Sequence, residues 1–95
     1  MDKYELTVIV RPELTEEERD KVLTKIEELI TTPGGNVLSR DMWGRRELAY
    51  PIKKYNEGVY VLFTFNSDKA PIKDIDYRVK INDDIIRYLL VKADK

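Results

Sequence analysis

Within the first thirty residues the spacing of apolar side chains changes once, and that change limits the fold more than any other feature. From Tyr4 to Val10 (YELTVIV) the period is two. Tyr4, Leu6, Val8 and Val10 fall on one side of a β-strand, with Glu5, Thr7 and Ile9 on the other. After Pro12 the period becomes three and four, and Val22, Ile26, Leu29 and Ile30 form one stripe along TEEERDKVLTKIEELI. Thr15, with Glu18 three residues on, makes a capping box, and acids crowd the first turn where the helix dipole favours them. A helix with a single apolar stripe must lie on something apolar. The flanking strands have to supply that surface.

The same alternation recurs. TPGGN (32–36) breaks the helix, and a long β-like tract follows, NVLSRDMWGRRELAYPI, interrupted by Gly44 and expected to stop at Pro51. KKYNEG (53–58) reads as a turn and VYVLFTF (59–65) as a strong strand, so the two tracts form a hairpin. SDKAP starts a second helix with Pro71 in its first turn and Ile72, Ile75 and Val79 on one face. Asn82 suits a left-handed cap, and DIIRYLLVK (84–92) is the last strand. The order β-α-β-β-α-β predicts an α+β, ferredoxin-like sandwich: one four-stranded antiparallel sheet with both helices on one face. Residues 1–95 make one domain in this reading, with Leu6, Val8, Val10, Val61, Phe63 and Phe65 facing the core.

Cysteine and histidine are absent, which removes disulfides, thiolate nucleophiles, Cys/His zinc sites and the usual proton shuttle near neutral pH. Carboxylate, Lys, Tyr and Ser/Thr chemistry stays open to an enzyme, while no metal site or cofactor is expected. No apolar run reaches the roughly 20 residues of a membrane helix. The opening MDKYELTV lacks the apolar region of a secretory signal, so a cytoplasmic protein with no membrane partner is expected. The net charge is only −1, yet it is unevenly spread. Residues 13–28 carry a local −4, residues 40–54 a local +3, and the segment after Asp84 a local +2.

With the helices on one side, Tyr60, Leu62, Thr64 and Ile9 face away from them, where a one-sided antiparallel sheet is normally polar. Stacking of RNA bases there is disfavoured, because Glu57-Gly58-Val59-Tyr60 has an acid where RNA-reading sheets have a base. Either Tyr60 and Leu62 shelter under the hairpin or long side chains, or the face seats a partner, for which protein fits better than RNA. The segment WGRRELAYPIKK (43–54) poses the same question, since four cations surround a short apolar run. Two readings stand: a charge-guarded edge strand, or a device in which Arg45, Arg46, Lys53 and Lys54 meet phosphates while the apolar interval seats a partner. The candidate docking residues are Ile9, Trp43, Leu48, Tyr50, Tyr60 and Leu62.

Gly44-Arg45-Arg46-Glu47-Leu48-Ala49-Tyr50-Pro51-Ile52-Lys53 resembles the signature of the bacterial small-subunit ribosomal protein six family. The likeness extends to the opening Tyr4-Glu5 strand and to Ile81-Asn82-Asp83-Asp84-Ile85-Ile86-Arg87. The resemblance implies a non-enzymatic component of the ribosome. Such a protein is monomeric when isolated, pairs with small-subunit ribosomal protein eighteen and binds the central domain of small-subunit ribosomal RNA. Lys3, Arg87 and Lys92 then join the four hairpin cations as RNA-binding candidates. Asp2 stands before Lys3 where the family often opens with arginine, and the acidic C-terminal extension of some members is absent before Lys95.

Two rival readings differ in kind. An acylphosphatase-like enzyme would use Arg11 after the first strand, but Pro12-Glu13 replaces a glycine-rich phosphate cradle with an acid. A ligand-sensing dimer would instead cover the open sheet face with a second copy.

Overall fold

The computed structural model describes residues 1–93; the last two residues of the C-terminal basic segment lie outside them. The elements are β1 (Asp2–Val10), α1 (Glu16–Thr31), β2 (Asn36–Ile52), β3 (Tyr55–Ser67), α2 (Ala70–Lys80) and β4 (Ile85–Lys92). The four strands form one antiparallel sheet in the order β2-β3-β1-β4, as the split β-α-β arrangement requires. β2 is an edge strand, as its charge pattern implied.

Local sequence explains α1. The Thr15 hydroxyl accepts from the Glu18 amide, and the Glu18 carboxylate accepts from the Thr15 amide, so the predicted box is formed. Val22, Leu23, Ile26 and Ile30 are buried against the sheet, with Leu29 partly so. Leu23 widens the stripe read from the sequence. α2 buries Ile75 and Val79 in the same way. The sheet answers with Leu6, Val8, Val10, Val61, Phe63 and Phe65, all with 0% exposure. Each such side chain contributes roughly 1.5–3 kcal/mol when fully buried.

Four local expectations are corrected. Pro51 does not end β2, which continues to Ile52. Residues 53–58 are not one long turn: Ile52 pairs with Tyr55, leaving a two-residue turn of Lys53 (φ 51°) and Lys54 (φ 71°). With positive φ at both central residues the loop is of the kind whose twist matches that of its strands, and here two lysines stand where Asn-Gly is the usual preference. Asn82 is not a left-handed cap. α2 closes on Ile81 in right-handed geometry, and the Asn82 side chain accepts from the Asp84 amide. Ile9 faces away from the helices as expected but is only 7% exposed, so that face is partly covered.

Candidate functional site

What covers Ile9 is the β2–β3 hairpin itself. The strands keep register from Arg45↔Val59 to Glu47↔Glu57, then lose it until Ile52↔Tyr55. Leu48, Ala49, Tyr50 and Pro51 thus stand opposite Asn56 alone. The surplus backbone arches over the sheet, and Pro51, with no N–H to donate, fits such an irregularity. Tyr50 is carried across to β4, where its hydroxyl accepts from Arg87 Nη1 at 2.9 Å. Beneath the arch lies a groove of about 320 Å³ with Ile9, Leu48, Ala49, Tyr60 and Leu89 among its walls. Gly58 lets the strands close here, since a Cβ would come within 2.3 Å of Ile9 Cγ2.

A second irregularity sets the aromatic part of the face. Met42 pairs with Val61 and Gly44 (φ 89°) with Tyr60, so Trp43 is an extra residue at a bulge. Its indole stacks on Tyr60, with centroids 6.4 Å apart and an interplanar angle of 9°. The Arg46 guanidinium covers the indole at 5.7 Å from the ring centroid. Trp43 remains 47% exposed, and further along the face Leu89 and Val91 are exposed at 61% and 40%. Exposed apolar residues gathered on one side of a sheet mark a docking surface more than scattered ones do.

The six candidate docking residues therefore come together. Ile9, Leu48, Tyr50 and Tyr60 line the groove, Trp43 stacks on Tyr60, and half-buried Leu62 follows Tyr60 by one alternation on β3. Leu89, Val91 and Ile52 belong to the face and were not singled out from the sequence. The alternation Arg87, Leu89, Val91 in β4, opposite Ile9, Thr7 and Glu5, was the signal that could have found the first two.

The seven candidate cations do not gather. Arg45 pairs with the helix-side residue Val59 in register. Its guanidinium donates to the Pro12 carbonyl at 2.7 Å and bonds the Glu57 carboxylate. Lys92 meets Asp2 at 3.4 Å. Arg46 and Arg87 stand on the open face, Lys53 and Lys54 at the hairpin tip, and Lys3 opposite Asn66 at the far end of β3.

A polar clasp holds the hairpin base. The Glu13 carboxylate accepts from the Tyr55 hydroxyl at 2.6 Å and from Arg11 at 2.7 Å, while Arg11 Nε reaches Asp84 at 2.7 Å. The Tyr55 hydrogen bond, then Arg11, holds Glu13 below the ordinary carboxylate range, and Glu13 in turn raises Tyr55. Arg11 is thus committed to two carboxylates, which is poor provision for phosphate catalysis. Among the described residues no helix is long and apolar enough to cross a membrane, and no three acidic side chains converge as metal ligands.

A ferredoxin-like sheet that leaves one face apolar, aromatic and edged with cations belongs to the class of binding modules. Comparison with known proteins narrows the class. The family described as Ribosomal protein S6 matches residues 3–92, and the chain belongs to that family. Among its relatives, the small ribosomal subunit protein bS6 of Clostridium acetobutylicum is 44% identical over 95 residues, covering 100% of each chain. The bS6 of Clostridioides difficile is 43% identical over 93 residues, covering 98% of this chain and 100% of that one. The crystal structure of 30S ribosomal protein S6 from Thermotoga maritima superposes with a TM-score of 0.91 at 28% identity, over 97% of this chain and 87% of that one.

Proposed function

We propose that the chain is a structural, non-catalytic component of the small ribosomal subunit in the bacterial cytoplasm. In this reading residues 1–95 form one domain, a monomer when isolated. It docks small-subunit ribosomal protein eighteen on the open sheet face and contributes cations to the central domain of small-subunit ribosomal RNA. The observation that carries the reading is the open face: a family of ribosomal proteins supplies the context, and exposed Trp43 and Leu89 supply the surface that needs covering.

The hairpin tip supports the RNA part. Lys53 and Lys54 both sit at positive φ, a conformation costing of order 1–3 kcal/mol per non-glycine residue. Asn-Gly would relax that turn, and two lysines retain charge instead. Arg46 is also placed for contact. Arg45 is already bound to this chain's own carboxylate and carbonyl, so it acts chiefly in bracing the hairpin.

The test is a pull-down of the tagged chain from bacterial lysate, with and without ribonuclease, followed by sedimentation. The expected result is small-subunit RNA in the untreated sample and a small basic ribosomal protein retained after digestion. A chain that never sediments with small subunits, or that is a stable homodimer alone, overturns the reading.

A further inference from the structure

We infer that the groove under the hairpin receives a protein segment in which an apolar side chain is followed by a carboxylate, and that Arg87 reads the carboxylate. The inference rests on the docking role proposed above for this face and names the chemistry of what docks there.

Charge decides the occupant. Among the described residues, Arg87 is the one charged side chain lining the groove, between aliphatic and tyrosine walls. Its guanidinium bonds the Tyr50 hydroxyl and meets no carboxylate within ion-pair distance among the described residues. A guanidinium has five N–H donors in a planar fork, so one hydrogen bond to a phenol leaves the fork open for a bidentate carboxylate. Tyr50 fixes one end of that fork, which reduces the ordering cost of a second partner. A larger hollow, between α1 and α2, contrasts with this one. There Lys25 and Arg78 are matched by Glu28 and Asp74, with Arg78 bound to Asp74 at 3.0 Å, so it selects no charge.

The walls argue for protein over nucleic acid. Part of the aromatic surface is already used within the chain, with Trp43 stacked on Tyr60 and Arg46 over the indole, while Tyr50 in the groove wall stays exposed. Aliphatic walls from Ile9, Leu48, Ala49 and Leu89 suit a leucine-sized side chain.

The experiment titrates the ¹⁵N-labelled full chain with two capped hexapeptides, acetyl-GSLDSG-amide and its Asn counterpart acetyl-GSLNSG-amide, and with hexauridylate. The Leu-Asp peptide is expected to shift the amides of Ile9, Leu48, Arg87 and Leu89, and to bind about fivefold to tenfold more tightly than the Leu-Asn peptide. Arg87→Gln should equalise the two peptides. Tyr50→Phe should narrow the preference without abolishing it, and it serves if Arg87→Gln loses its folded spectrum. Equal affinities in the unaltered chain, no binding below about 10 mM, or hexauridylate shifting these amides in preference overturns the inference. Should the peptides fail while the chain still sediments with small subunits, this inference alone falls. If sedimentation fails, the functional reading falls with it.

Discussion

At the scale of single residues, the chain spends several of its charges on itself, and Glu13 shows the consequence most clearly. Its carboxylate takes two donors, Tyr55 on β3 and its near neighbour Arg11 after β1, and both favour the charged form. A carboxylate held below its ordinary value of 4.5 binds fewer protons folded than unfolded. Its stabilising contribution is therefore complete above that value and is lost as pH falls through the lower folded value. Glu13→Gln should be less stable than the parent at pH 7, and the difference should vanish in the acid range below 4.5. Urea unfolding at a series of pH values measures this; a gap that persists unchanged at pH 3 would assign the loss to packing. The Glu13 side chain is 55% exposed, so the effect is modest.

At the scale of elements, the hairpin decides what the face becomes, and its turn is the place to probe it. Lys53→Asn with Lys54→Gly substitutes residues that accept positive φ, and should stabilise the chain by about 1 kcal/mol. For a chain of this length that is a Tm rise of about 4–8 °C. Calorimetry tests it, and an unchanged or lower Tm would mean the lysines are unstrained there. The helices, the strand order and the core were legible because each depends on short-range pattern: the Thr15–Glu18 box, the stripe through Val22 and Ile26, the alternation of Val61, Phe63 and Phe65. The groove was not. Gly44 signalled a bulge, but which side chains it would turn outward depends on register, and one extra residue exchanges the faces. That parity puts Trp43 on Tyr60 and Arg46 on Trp43, and sends Arg45 to Pro12. The Tyr50–Arg87 contact spans 37 residues and arises from surplus backbone in β2, for which no local motif exists.

At the scale of the whole molecule, a net charge of −1 limits how RNA can be held. Acids of α1 lie behind the sheet, where Asp20 and Glu27 bind Arg40 at 2.8 and 2.6 Å. Of the seven candidate cations Arg45 and Lys92 are paired with carboxylates, and Arg87 belongs with the groove. Lys3 stands at the other end of the sheet from the hairpin, which leaves Arg46 on the open face and Lys53 and Lys54 at the hairpin tip. Each phosphate neutralised adds about 0.7–0.9 to the slope of log affinity against log salt, so the chain alone should show a slope of about 2 to 3. Binding that shallow is weak at physiological salt, and in the proposed reading a protein docked on the open face would supply the remaining charge. Filter binding to the central domain of small-subunit RNA should therefore give a steep slope only when both proteins are present. Arg46→Ala should lower it by about 1 in either case, whereas Arg45→Ala should leave it unchanged and reduce thermal stability instead. Equal loss of slope from the two substitutions would mean that the Arg45–Glu57 pair opens on RNA, and that the bulge does not divide the two arginines between separate tasks.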